Sequence, residues 1–400
     1  MREICVLMAV VAGVCAHAAT PEAEARAAAW LEAWDRQGLH RTATAGDESG
    51  AAWLAREAEA IVGRAVTSES FALDRIDTVT AFLEIDGERI EGEPFLDAPP
   101  TDAEGIRGVA SDTIGEGTIA VLPVPPSVVY RPDFAKMRRE SRHRAHVVVT
   151  MGGAPGLAPL NAEWFRTPFG PPTLQVSSVH RDRLLAAVAR KAELRVVVHT
   201  KRTPAQARNV VLTIPGRDRT KPPVVVMTPR SSWWQSTSER GGGVVCWLET
   251  LRALKANPPA SDVIFTANTG HEIDHIGLDD FVERRPGWET TATWIHYDAN
   301  IGAVGSRLTI QSPHDDMREL TVARLTAVGH TPALGDKANV PTGETRDIHL
   351  KGGRYLTVVA APASNALFHL PQDRWPHAVD VPAIASIAEG MANAIVALTR

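Results

Sequence analysis

His271, Glu272 and His275 stand at the H-E-x-x-H spacing. On one face of a helix, such histidines hold a zinc ion while the glutamate activates its water. Here the pattern follows Val263-Ile264-Phe265-Thr266-Ala267 and Gly270, a β-rich run and a helix breaker, which predict a strand end and a turn instead. Leu278 and Phe281 occupy the places where the longer form of that signature has glycine and a third histidine. The chemistry of these side chains therefore belongs to the rim of a sheet, and the elements that build the rim decide what it is.

From residue 209 onward, strand patterns at 209–214, 223–227, 262–267, 293–297, 307–311 and 354–359 alternate with helix patterns at 243–256, 278–284, 316–328 and 382–398. The expected fold is α/β, a mostly parallel mixed sheet with helices on both faces. In such sheets ligands bind beyond the carboxyl ends of the strands. Those ends lead into Thr228-Pro229-Arg230, His271-Glu272 and His296-Tyr297-Asp298, while Ser238-Glu239-Arg240 precedes a helix and Phe368-His369 comes late in the chain. Glu239, His271, Glu272, Asp298 and His369 thus gather at one rim. Carboxylates and imidazoles converging there are what a metal-assisted hydrolase needs to hold an ion and polarise water.

Upstream, residues 22–65 read as two helices, the first with Trp30, Leu31 and Trp34 on one stripe and the second over 51–64. A strand at 78–85 precedes a Pro- and Asp-rich stretch, 96–102, that reads as a linker. From 103 to 202, short strands (118–122, 146–150, 173–176, 194–199) alternate with Pro/Gly loops, the texture of a smaller α/β or β-rich unit. The expected organisation is one fold domain formed by 20–102 and 203–400, with 103–202 inserted into it. With 44% apolar residues in a chain of 400, either domain can bury a core.

A net charge of −5 with interspersed signs gives no bias toward nucleic acid or membrane surfaces. Residues 1–19 read as a secretory signal, with Arg2, an apolar stretch from Ile4 to Val14, and a small-x-small site at Ala16-His17-Ala18. The expected destination is secreted or periplasmic. Val14 stands where a lipoprotein signal wants a small residue before Cys15, so no lipid anchor is expected. No transmembrane anchor is expected either, since no later stretch reaches the ~20 apolar residues of a span. Removal of the signal leaves Cys246 alone, so neither a disulfide nor a thiolate zinc site is available, and Cys246 reads as a buried hydrophobe.

Taken in order, these segments resemble the zinc-dependent aminopeptidase and glutamate carboxypeptidase family, whose members carry two co-catalytic zinc ions on an α/β sheet. The resemblance rests on Asn209-Val210-Val211-Leu212-Thr213-Ile214-Pro215-Gly216, Gly243-Val244-Val245-Cys246-Trp247-Leu248-Glu249, Glu272-Ile273-Asp274-His275-Ile276-Gly277, Trp294-Ile295-His296-Tyr297-Asp298 and Phe368-His369-Leu370-Pro371-Gln372-Asp373. The 103–202 unit, with Pro172-Thr173-Leu174-Gln175-Val176-Ser177, is similar to the protease-associated domain inserted in such enzymes.

By that resemblance Glu272 and His369 are zinc ligands, Asp298 belongs to a second zinc, and Glu239 replaces the bridging aspartate. Two positions depart from the pattern. Thr228-Pro229-Arg230 stands in place of a His-x-Asp ligand segment, and His271 replaces the general-base glutamate. The resemblance thus implies a single zinc held by Glu239, Glu272 and His369, with Asp298 as a fourth or supporting group. His271 would be the base, and Arg230 or Arg240 would bind an anionic part of the substrate. Arg346 and Trp234 would line the pocket, and the reaction would be amide hydrolysis of a peptide or N-acyl amino acid. The same departures leave open an inactive relative that binds peptides or other ligands, a metal-free anion pocket of Arg230, Arg240 and His271, and His275 as a replacement ligand. Gly241-Gly242-Gly243 reads as a close backbone approach before a helix, since it lacks the flanking pattern of a phosphate loop.

Overall fold

The computed structural model describes residues 19–400 except Ile114, Pro362, Ser364 and Asn365. The signal expected at 1–19 therefore lies, apart from Ala19, outside the described residues. Helices α1 (Pro21–Asp35) and α2 (Ala45–Val62) open the fold. Trp30, Leu31 and Trp34 are buried on one stripe of α1, as their spacing implies. Helix α2 begins six residues before the expected start, because Thr44 takes the N-cap position and Asp47 and Glu48 occupy its first turn.

Two long strands frame the next part of the chain. β1 (Thr67–Ile85) pairs antiparallel with β7 (Glu193–Ile214) along nearly its whole length. Between them come β2 (Glu88–Pro94), β3 (Ile106–Ser111), β4 (Thr118–Val124), α3 (Pro132–Glu140), β5 (Ala145–Thr150), β6 (Thr173–Ser177) and α4 (Arg181–Ala189). The pairings β1–β2–β6–β5–β4–β3–β7–β1 close a ring, filled by Leu83, Ile119, Val147, Val149, Leu174 and Val196. A closed ring leaves no open edge inside the small lobe. The lobe differs from the expected 103–202 unit at both ends. It takes in the outer half of β1 and all of β2, and β7 runs unbroken across 202/203. The small lobe is therefore built on extensions of the main sheet's own strands.

The main sheet continues from β7 through β8 (Val224–Pro229), α5 (Thr237–Ala256), β9 (Val263–Asn268), α6 (Ile276–Glu283), α7 (Trp288–Thr291), β10 (Thr293–Tyr297), β11 (Arg307–Gln311), α8 (Asp315–Ala327), β12 (Ala333–Leu334), α9 (Thr345–Leu350), β13 (Arg354–Ala361) and α10 (Val381–Leu398). Its strand order is β7–β9–β8–β10–β13–β11–β12. The β9–β8–β10–β13 centre is parallel, and β7 and β11 flank it antiparallel. One face carries α1, α2, α5, α8 and α10 on a core that includes Trp34, Leu54, Trp247, Phe265, Ile295 and Ile384. On the other face Leu278 and Phe281 of α6 and Ile348 of α9 pack with Met227, Trp294 and Tyr355. Cys246 is buried in the first of these cores. By length and apolar content α10 is enough to cross a membrane, but its residues pack against α5 and α8 and are mostly buried.

The parallel centre directs the ends of β8, β9, β10 and β13 to one rim, and that rim carries the polar residues expected from the strand ends.

Candidate functional site

Residues 271–275 form turns, and α6 begins only at Ile276. Gly270, Asp274 and His275 have φ of 85°, 65° and 48°, a left-handed backbone that no α-helix contains. The helical reading of His271, Glu272 and His275 is thereby excluded. Ser231, just beyond β8, fixes the turn: its Oγ accepts the amides of Gly270 (2.9 Å) and His271 (3.1 Å) and donates to Glu272 Oε2 at 2.6 Å. His275, its ring centroid 5.0 Å from that of His271, is engaged by a carboxylate instead of being held free for a metal. Its Nδ1 is 2.7 Å from Asp347 Oδ2, and despite burial that carboxylate raises the imidazole to about 9.

Glu239 and Arg240 lie in the first turn of α5, which begins six residues before the expected start at Gly243. The extra turn is capped from a distant segment. Asp373 accepts the amides of Ser238 (2.7 Å) and Glu239 (3.0 Å), the free donors of a helix N-terminus. Burial, together with the charge of Glu239, lifts the Asp373 carboxyl to about 7. The glycines sit inside this helix because other chain segments press against it. A Cβ on Gly242 would lie 1.8 Å from the carbonyl oxygen of Ile301, and one on Gly243 would lie 2.8 Å from Thr228 Oγ1. The close approach expected at these glycines is therefore present, though within the helix.

Arg240 is the centre of the cluster. Its Nη2 is 2.9 Å from Glu239 Oε1 and 2.9 Å from Glu272 Oε1, and its Nε donates to Ser231 O at 2.9 Å. His369 Nε2 lies 3.2 Å from the same Glu239 oxygen. Burial alone would raise Glu239, but the guanidinium and the imidazole outweigh it and bring the carboxyl down to about 2. His369 is held at a φ of 60°, with Nδ1 2.6 Å from Pro159 O and with its own carbonyl accepting from Trp234 Nε1 at 2.8 Å. Such a backbone persists only where its surroundings over-determine it.

Beside this cluster opens a cavity of about 610 Å³ lined by His271, Asp298, Asn300, Gln311 and Thr342 among polar groups, and by Tyr130, Met151, Ala299, Val359 and Phe368 among apolar ones. Behind His271 stands Glu344, whose Oε2 is 3.4 Å from His271 Nδ1 and 2.8 Å from His296 Nε2. Burial opposes the charge on Glu344, yet the two imidazoles hold its carboxyl well below the ordinary range. Asp298 Oδ2 accepts from Thr342 Oγ1 at 2.9 Å. The small lobe supplies one wall. Besides the Pro159 carbonyl, Asn161 Oδ1 accepts from Trp233 Nε1 (3.0 Å), Ala162 N donates to Glu272 O (2.8 Å), and Glu163 pairs with Arg346.

The structure thus brings Glu239, Arg240, His271, Glu272, Asp298 and His369 to one place, and it relocates three other candidates. Arg230 does not reach the cavity. It is fully buried, with Nη1 2.5 Å from Asp47 Oδ1 and Nη2 bonded to the Arg208 carbonyl, so it ties α2 to the sheet. Trp234 holds the His369 backbone instead of lining the cavity. Arg346 is engaged by Glu163 and by Asp347, its Nε 3.3 Å from Asp347 Oδ1. Arg240 does not line the cavity, and its Nη2 and Nε are taken by the two glutamates and the Ser231 carbonyl. Sequence reasoning gave no role to Glu344, His296, Asp373 or the 159–163 segment. Glu344 had the best signal, two residues from Arg346 in a loop already expected to line the site.

The resemblance implies zinc, and these donors are not assembled to hold it. Among the described residues no three of His, Cys, Asp and Glu are grouped so as to hold one ion. The space that Glu239 and Glu272 share contains the Arg240 guanidinium. Thr228 Oγ1, at the position of a lost imidazole, donates to Tyr297 O at 2.9 Å. In this arrangement the residues do not fit a zinc ion.

No protein-family model matches the chain, and no curated protein matches it in sequence. Solved structures do match over nearly its whole length. A zinc aminopeptidase from Bacillus subtilis superposes with a TM-score of 0.75 at 14% identity, covering 94% of this chain and 95% of its own. An aminopeptidase from Aneurinibacillus sp. strain AM-1 gives 0.70 at 14% identity, covering 94% and 93%. A peptidase M28 precursor from Shewanella amazonensis gives 0.71 at 12% identity, covering 93% and 94%. The chain has the fold of these aminopeptidases.

Proposed function

We propose that the protein is an exported hydrolase of aminopeptidase type that cleaves an amide bond of a short peptide or an N-acyl amino acid. The observation that carries this reading is the placement of His271, which lines the 610 Å³ cavity with Glu344 directly behind its Nδ1. Glu344 Oε2, 3.4 Å from Nδ1 and not hydrogen-bonded to it in this structure, is the carboxylate placed to favour a proton there once the ring closes on it, leaving Nε2 to take one from a water in the cavity. The water oxygen attacks the amide carbonyl, and the imidazolium, stabilised by the ionised Glu344, returns the proton to the departing amine. Tyr130, Met151, Val359 and Phe368 offer the substrate an apolar wall, and Asp298, Asn300 and Gln311 offer polar partners. The fold shared with aminopeptidases supports the same reading. The small lobe serves here as a protease-associated-like module that lines the cavity with Tyr130 and Met151, while its 159–163 segment braces the site through Pro159, Asn161, Ala162 and Glu163.

The test is His271→Ala on a panel of aminoacyl-anilides and N-acyl amino acids, with an expected loss of roughly 10²-fold or more in kcat/KM. An unchanged kcat/KM on a substrate that the native protein turns over sinks the assignment.

One observation favours a second reading, a catalytically inactive relative that binds a peptide in the same cavity: Arg240 occupies the carboxylate pair that would hold a metal. Saturable peptide binding by calorimetry without turnover on the whole panel would decide for it.

A further inference from the structure

The hydrolytic mechanism leaves Arg240 without a task, yet it is buried against the carboxylates of Glu239 and Glu272. Three carboxylates, those of Glu239, Glu272 and Asp298, act on this one buried guanidinium, which is 1% exposed. Both oxygens of Glu239 and the Nε2 of His369 are buried without a hydrogen-bond partner, so this neighbourhood needs positive charge. A metal ion would supply it, and the donor types suit zinc.

The space is already taken. Zinc binds carboxylate oxygens at about 2.0–2.2 Å, so an ion shared by Glu239 and Glu272 would have to enter the volume that Nη2 fills, 2.9 Å from each. Arginine cannot yield by losing a proton, and although burial opposes its charge, Glu239 and Glu272 hold the guanidinium ionised even more firmly than usual. The bond from Nε to the Ser231 carbonyl anchors the side chain from the other end.

We propose that Arg240 is a built-in cation that takes the place of a metal ion. The guanidinium closes the Glu239–Glu272 pair, the native protein leaves Glu239, Glu272 and His369 without zinc, and removal of the guanidinium turns these three into a zinc site. Two carboxylates, one imidazole and the vacated volume make a three-ligand set with an open fourth position. Whatever chemistry or binding the cavity performs is then indifferent to chelators.

The experiment is zinc titration of the full chain, native and Arg240→Ala, followed by gel filtration and elemental analysis. The native protein is expected to retain less than about a tenth of an equivalent, and Arg240→Ala about one equivalent, lost again when His369→Ala is added. A native protein that holds about one equivalent of zinc, removed by His369→Ala, overturns the proposal. So does a folded Arg240→Ala that takes up none. If Arg240→Ala fails to fold, Arg240→Gln keeps much of the side-chain volume, and the readout becomes a zinc-dependent rise in Tm that the native protein lacks. Absence of that rise in a folded Arg240→Gln overturns the proposal as well. Metal content is read independently of turnover. A zinc-loaded native enzyme would overturn this proposal and leave the hydrolase reading standing, and a metal-free protein without turnover would do the reverse.

Discussion

Arg230 and Arg240 lie ten residues apart, on either side of the same loop, and both are buried against carboxylates. Around Arg230 nearly every group is matched. Nη1 reaches both the side chain and the carbonyl of Asp47, Nη2 reaches the Arg208 carbonyl, and Asp47 also accepts from Ala43 N at 2.7 Å and Thr269 Oγ1 at 2.9 Å. Around Arg240 the reverse holds. Its Nη1, both Glu239 oxygens, His369 Nε2, His271 Nδ1 and Glu344 Oε1 are buried without partners. Buried polar groups are normally satisfied, and a local concentration of exceptions marks a place prepared for water or a ligand. Two arginines of equal burial thus do opposite work: one completes a scaffold, while the other sits among groups with binding capacity left over.

The largest expected effect tests the scaffold side. Arg230→Ala leaves Asp47 buried beside α2 without its counter-charge, and it should cost about 3–5 kcal/mol of stability in urea unfolding. A loss below about 1 kcal/mol would erase the contrast. On the site side, Glu344→Gln keeps the shape but removes the charge behind His271. It should lower kcat/KM by about tenfold, or about 1.4 kcal/mol, less than loss of the base itself. An effect on Tm with kcat/KM unchanged would move Glu344 to the scaffold class.

The smallest effect belongs to an ion pair of intermediate kind, His275 with Asp347, whose carboxylate side chain is 32% exposed. The folded His275 titrates at about 9, above its ordinary 6.5. The pair therefore contributes its full stability below about pH 6.5, and that contribution is lost as pH rises through about 9. Solvent at the Asp347 carboxylate screens the pair, so its contribution falls short of the roughly 3 kcal/mol that the full shift from 6.5 to about 9 would give. Asp347→Asn should flatten the fall in Tm between those two pH values, and a slope identical to the native one would show that the pair does not form in solution.

Much of the fold was legible because the main sheet obeys local rules. β10 and β11 begin and end where their apolar patterns do, and the other central elements shift by only a few residues. The failures share a cause. The inner half of β1 offers only Phe71, Leu73 and Ile76 as half-buried apolar residues, too short a pattern to mark a strand, so its pairing with β7 makes it one. The first turn of α5 depends on a cap from Asp373, 135 residues downstream. The role of Arg230 depends on Asp47, 183 residues away, and neither residue type says which carboxylate an arginine will meet.

From its sequence alone, then, this chain determines an α/β sheet whose strand ends carry Glu239, His271, Glu272, Asp298 and His369, because hydrophobic period and turn chemistry are local properties. Tertiary structure alone decides what that rim is. It turns His271 toward a cavity with Glu344 behind it, draws Arg230 into the scaffold, and sets the Arg240 guanidinium between the two glutamates. These outcomes are decided by which charges meet once water is excluded, and that pairing depends on distances across the folded chain that no local pattern encodes.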